Sequence, residues 1–166
     1  MGKIIILRGN SGSGKTVVSK ELQRKIGRGT FLIPQDFVRR EMLFVKDYPG
    51  NPAVDLLLNL VLFGHENCEY VILEGILYSD IYARLFAKIK ELFADEIYAY
   101  YFDLPFEETL RRHEQKAVSA EYGEAEMRRW WREKDFLRDI REERIFMDSS
   151  LEETVERIYR EVVDGL

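Results

Sequence analysis

Gly9, Gly14, Lys15 and Thr16 stand at the spacing G-x-x-x-x-G-K-[ST], in the stretch GNSGSGKT that follows the apolar run of residues 4–7. These residue types suit one task. Glycines let successive backbone N–H groups turn inward around an anion, where side chains would obstruct its approach. A helix beginning near Lys15 adds the positive end of its dipole at the same place. The Lys15 ammonium can reach the outer phosphates of a triphosphate, and the Thr16 hydroxyl can ligate Mg²⁺. Gly9, Asn10, Ser11, Gly12, Ser13, Gly14, Lys15 and Thr16 are therefore expected to cradle a nucleoside triphosphate. The strand expected before them and the helix after them set the stretch apart from a chance glycine-rich turn.

Further candidates lie at the ends of the next apolar runs. Asp36, in LIPQDF, falls at the C-terminal end of a strand, where open α/β sheets bind ligands. A carboxylate there can take the proton of a substrate hydroxyl as a γ-phosphoryl group moves onto it. It can also cap the helix that follows, and the two roles are compatible. Arg39 and Arg40, one turn on, can meet an anionic substrate, although such arginines are also often simply solvated. Glu74 closes the run YVILEG and can hold a magnesium water shell or position a water, or simply be a polar strand terminus. Arg111, Arg112 and Lys116 precede Arg128, Arg129 and Arg132 in a stretch where acids nearly balance bases. That pattern fits a solvated, salt-bridged helical pair, or a lid that closes arginines over a triphosphate. Arg112 and Arg129 are the catalytic candidates from that stretch.

Positioning these groups requires strands alternating with helices. Strands are expected over 3–8, 30–34, 70–73, 97–102 and 145–147. Helices are expected over 15–26, from Asp36 through Phe44, around Val54–Leu62 and Tyr82–Phe93, after Pro105, over 124–137, and after Ser150. Ser150 and Glu153 have capping-box spacing. The strands are apolar throughout rather than alternating, which predicts a parallel sheet covered on both faces in an α/β fold.

At 166 residues the chain is most economically one domain. Its net charge of −5 argues against a sequence-independent nucleic-acid binder. Cys68 is the single cysteine, so no internal disulfide can form and a reducing cytoplasm is the expected compartment. The most apolar stretch, residues 53–63, is about half a membrane span long and contains Asp55 and Asn59, so no membrane segment is expected.

Taken in order, GNSGSGKT, QDFVRR, ILEG, EETLRRHEQK and MDSSLEETVERI span nearly the whole chain. In this order the chain resembles the small P-loop kinases, a group that includes chloramphenicol phosphotransferase, zeta-toxin-like kinases and polynucleotide kinase. The resemblance implies a P-loop NTPase α/β/α sandwich, with a five-stranded parallel sheet ordered 2-3-1-4-5 and a small helical lid over about 112–137. It also implies an ATP or GTP donor with Mg²⁺, Asp36 as base, Thr16 and Glu74 on the metal side, and a small-molecule acceptor. Asp148 and Ser149 would lie in the loop lining the nucleotide base. Lids in this group carry arginines at R-x-x-x-R spacing, whereas here Arg112 is followed by Lys116, which cannot make the same bidentate contact. Arg128 or Arg129 then becomes a candidate for the missing arginine.

The expected activity is transfer of a γ-phosphoryl group to a hydroxyl of a small molecule. Two alternatives stand beside it: a nucleoside monophosphate kinase, and a nucleotide-binding regulatory ATPase that transfers nothing. Sequence leaves the acceptor and the oligomeric state open.

Overall fold

Ile4 and Ile6 of the first strand face one side of the sheet while Ile5 and Leu7 face the other, and all four are fully buried. Burying each such side chain is worth about 1.5–3 kcal/mol, so both faces demand a cover. The computed structural model describes residues 2–166. Its strands are β1 (Lys3–Gly9), β2 (Phe31–Pro34), β3 (Tyr70–Gly75), β4 (Ile97–Phe102) and β5 (Glu142–Ile145). They run parallel in the order β2-β3-β1-β4-β5.

The helices are α1 (Lys15–Ile26), α2 (Gln35–Phe37), α3 (Ala53–Asn67), α4 (Ala83–Phe93), α5 (Phe106–Glu114), α6 (Glu124–Trp130) and α7 (Leu151–Tyr159). Leu57 and Val61 of α3 pack with Leu85 and Ile89 of α4 on one face of the sheet. Val18 and Leu22 of α1 and Val155 and Ile158 of α7 cover the other. The expected α/β architecture and strand order are both present. No helix among the described residues is long and apolar enough to cross a membrane. The expected capping box also forms: the Glu153 N–H donates to the Ser150 hydroxyl at 3.1 Å, and the Ser150 N–H donates to the Glu153 carboxylate at 3.0 Å.

Three elements depart from expectation, each through a polar contact distant in sequence or directed away from the backbone. The helix expected from Asp36 to Phe44 is α2 followed by a π-helical turn, Val38–Met42. Asp36 does not cap it. Pro34 occupies the cap without a side-chain bond, and the Asp36 carboxylate turns forward to Arg39 and Arg40. The helix expected to reach residue 137 stops at Trp130, because Trp131 is extended (φ −62°, ψ 132°) and the backbone of Arg132 is bonded to Asn10. The last strand is Glu142–Ile145 rather than 145–147, and it is anchored by an unexpected charge, Arg8.

Arg8 is fully buried in β1 beside the glycine-rich stretch 9–16. Its guanidinium donates to Glu142 Oε1 at 2.8 Å, Asp135 Oδ2 at 3.1 Å and the Leu77 carbonyl at 3.1 Å. Phe86 and Tyr101 present their rings to it at 5.4 and 5.6 Å. Removing one partner of such a buried pair costs about 3–5 kcal/mol. The cluster therefore fixes the end of β1 against the chain that returns from α6.

Candidate functional site

Strand register gathers the site at the C-terminal ends of the strands. Leu7 and Pro34 both pair with Glu74, and Gly9 pairs with Phe102, so the loops leaving β1, β2, β3 and β4 emerge side by side. Residues 9–16 form the first of these loops. Gly12 has φ 80°, and a Cβ there would lie 2.5 Å from the Thr109 carbonyl oxygen. Gly14 has φ 95° and begins α1 in the left-handed region. Side chains are strained in this backbone conformation, and glycine is not.

Within the loop Lys15 is buried, and its Nζ donates to the Asn10 carbonyl at 3.0 Å. Burial holds the Lys15 pKa below its ordinary value, Glu74 opposes that shift, and Lys116 adds to it. The Ser13 hydroxyl is buried with no partner among the described residues. A buried hydroxyl left in this way is a donor waiting for an acceptor, and a phosphate oxygen would supply one. Thr16 Oγ1 donates to Glu74 Oε1 at 3.1 Å. Burial raises the Glu74 pKa, against the pull of Lys15 and the Thr16 hydroxyl. The Asn10 and Ser11 side chains turn instead to the segment around α6. Asn10 bonds the backbone of Arg132, and the Ser11 hydroxyl lies 3.1 Å from that of Tyr122.

Arg112 reaches the loop from α5. Its Nη1 donates to the Ser13 carbonyl at 3.1 Å and its Nε to Glu108 at 2.9 Å. Arg112, Gly14, Val17, Phe146, Asp148 and Ser149 line a cleft of about 330 Å³ beside the loop. Lys116 also belongs to this neighbourhood. Burial lowers its pKa, repulsion from Arg112 adds to the shift, and Glu74 opposes it.

On the opposite side, Asp36 accepts from Arg39 Nη2 at 2.9 Å and lies 3.6 Å from Arg40. Arg40 also approaches Glu121, just before α6, at 3.8 Å. Arg128 and Arg129 are not drawn in. Arg128 pairs with Glu124 and lies over the Phe106 ring at 4.2 Å. Arg129 is exposed on α6, and among the described residues no side-chain hydrogen bond or ion pair ties it to residues 9–16.

No protein-family model matches this chain, and no curated protein matches it. Solved structures do. An APS kinase from Mycobacterium tuberculosis, determined with AMPPNP and APS, is 22% identical with a TM-score of 0.65, covering 95% of each chain. A gluconokinase from Sinorhizobium meliloti is 16% identical with a TM-score of 0.60, covering 99% of this chain and 93% of its own. A tunicamycin resistance protein from Deinococcus radiodurans is 17% identical with a TM-score of 0.63, covering 98% and 96%. The fold is that of the P-loop kinases.

Seen as a P-loop kinase fold, the molecule holds a polar group at its second loop cluster that sequence reasoning missed. Tyr82 is fully buried; its hydroxyl donates to Asp47 Oδ1 at 2.7 Å and accepts from Gln35 Nε2 at 2.9 Å. Asn51 also approaches Asp47, at 3.4 Å. Burial raises the Asp47 pKa, the Tyr82 hydrogen bond and Arg39 oppose the shift, and the charges of Asp36 and Arg132 also act on it. Asp47 lies in the turn-rich connector KDYPGNP, and Tyr82 reads as a helix-face aromatic, so neither carries a local signal of a site. A larger hollow of about 700 Å³, between α4 and residues 136–140, takes in none of the expected site residues.

Proposed function

We propose that this chain transfers the γ-phosphoryl group of ATP or GTP to a hydroxyl of a small molecule. One observation carries the reading: an anion-cradling loop, the Thr16–Glu74 pair and an accessible carboxylate, Asp36, stand at adjacent strand ends. The acceptor oxygen attacks the γ-phosphorus, and the new P–O bond forms as the bond to the β-phosphate oxygen breaks. The nucleoside diphosphate leaves with that electron pair, and the acceptor proton passes to Asp36.

Lys15 and the loop N–H groups hold the phosphates, and Arg112 meets the nucleotide where its cleft opens beside Asp148 and Ser149. Thr16 and Glu74 offer oxygen donors of the kind Mg²⁺ takes, and no cluster of three or more His, Cys, Asp or Glu among the described residues could hold a metal by itself. Mg²⁺ commonly keeps several waters and is held through one or two carboxylates together with substrate phosphates. Bound there, Mg²⁺ would neutralise charge on the β- and γ-phosphates. Arg39 and Arg40 flank Asp36 and would orient the acceptor. Residues 1–166 would act as one unit, with 112–137 as its lid.

The neighbours named for APS and for gluconate carry different acceptors, so the acceptor here must be found by experiment. The test is a screen of nucleosides, nucleotides, sugars and aminoglycoside- or amphenicol-like alcohols for acceptor-dependent ADP or GDP release. With the acceptor found, Asp36→Asn should keep nucleotide binding and lose transfer by about 10²–10⁴-fold. Equal rates in variant and wild type would remove Asp36 as base. Slow hydrolysis indifferent to every acceptor would favour the regulatory ATPase.

A further inference from the structure

We infer that Arg132, not an arginine of α6, is the lid arginine that meets the transferring phosphoryl group; the inference rests on the phosphotransferase reading above. Its backbone is seated on the phosphate loop. The Arg132 N–H donates to Asn10 Oδ1 at 3.0 Å, and Asn10 Nδ2 donates to the Arg132 carbonyl at 2.8 Å. The same Asn10 accepts the Lys15 ammonium at its own carbonyl, 3.0 Å away. One residue of the loop thus fixes both the loop lysine and the α-carbon of Arg132. A guanidinium on so short a tether needs only side-chain rotation to reach a phosphate that Lys15 holds.

The anchor is reinforced on both sides. Before Arg132, the Tyr78 hydroxyl donates to the Trp130 carbonyl at 2.7 Å. After it, the Asp135 carboxylate accepts from buried Arg8 and from the Ser79 N–H at 2.9 Å. These contacts explain why α6 ends where it does. A helix continued through Arg132 would carry the backbone out of reach of Asn10.

The Arg132 guanidinium itself is parked on the surface, on Asp80 and over the Tyr78 ring at 4.0 Å. Its side chain is about one-third exposed and that of Asp80 two-thirds exposed, so the pair holds weakly. The guanidinium is held by an exposed partner it can exchange for a phosphoryl group gaining charge. Among the described residues, no comparable bond joins Arg128 or Arg129 to the loop. Arg132 is a catalytic residue on this view, and Asn10 is the positioning residue that delivers it.

The test uses the full chain with MgATP and no acceptor, so that water takes the phosphoryl group, and with MgADP plus fluoroaluminate as a mimic of that group in transfer. Arg132→Ala should leave MgATP affinity within about threefold, while hydrolysis and fluoroaluminate-dependent binding each fall about 10²-fold or more. Arg132→Lys should remain at least about tenfold impaired, because an ammonium cannot make the two-pronged contact. Asn10→Ala should lower hydrolysis more than MgATP affinity and weaken fluoroaluminate-dependent binding, which a purely structural role would not single out. Arg141→Ala, at an exposed loop position, should match wild type. Arg132→Ala with unchanged hydrolysis and mimic binding, or Arg129→Ala showing the loss instead, overturns the assignment while leaving the phosphotransferase reading intact. Wild type that neither binds nor hydrolyses MgATP, or that does so equally well as Lys15→Ala, overturns both.

Discussion

The phosphate-loop side of the site is built from the contiguous residues 9–16, whereas the opposite side draws on Gln35, Asp36, Asp47, Tyr82 and Arg132. The first is local in sequence: glycine φ angles, a helix start and a single lysine shape the turn, and residues from elsewhere only add bonds to it at Asn10, Ser11, Ser13 and Thr16. The second is a product of topology. Gln35 leaves β2, Asp47 sits in the connector before α3, Tyr82 precedes α4, and only the folded sheet brings them into one hydrogen-bonded group. A local site can lose a side chain and keep its fold. A dispersed polar site is part of the fold, so damage to it should appear as instability as well as lost function.

Lys15→Ala should break the local side with the largest effect. Losing charge-assisted contacts to two phosphates should weaken MgATP binding about 100-fold. The melting temperature without nucleotide should not fall, because a buried ammonium is costly to hold and the variant removes it. Nucleotide titration and thermal unfolding on the same protein would decide the matter. A large drop in melting temperature would show the loop to be as integrated as the opposite side.

Tyr82→Phe should do the converse. It deletes one hydroxyl at a fully buried position and leaves Gln35 Nε2 and Asp47 Oδ1 each short of a partner. Denaturant unfolding should show a loss of about 1–3 kcal/mol, with MgATP affinity unchanged. An equally stable variant with weakened MgATP binding would reverse the comparison.

The same contrast governs what sequence made legible. Four apolar runs marked the first four strands of the parallel sheet, and GNSGSGKT marked the glycine-rich turn that opens α1, because both signals are written in neighbouring residues. The end of α6 was not legible, since charge and helix propensity continue through residue 137 while the decisive bond comes from Asn10. Nor was β5, which starts with Glu142 because that carboxylate is taken up by Arg8 from the far end of the chain. Asp36 looked like a cap by spacing, but Arg39 and Arg40 compete for its carboxylate and hold it.

Glu108 offers the smallest effect and the finest test, because a carboxylate distant in sequence holds an arginine that touches the loop. Bonds from Arg111 and Arg112 lower its pKa to about 2, and Arg112 in turn donates to the Ser13 carbonyl of the loop. A depressed carboxyl pKa stabilises the folded chain above the unfolded value of 4.5, and that contribution fades as pH falls towards 2. Glu108→Gln should therefore be less stable than wild type at neutral pH, by less than about 1 kcal/mol because its arginine partners reach into solvent. The gap in melting temperature should close between about pH 4.5 and pH 2. A gap that persists unchanged at the acid end would mean that Glu108 holds Arg112 by shape rather than by charge, and that this corner belongs with the dispersed side of the site.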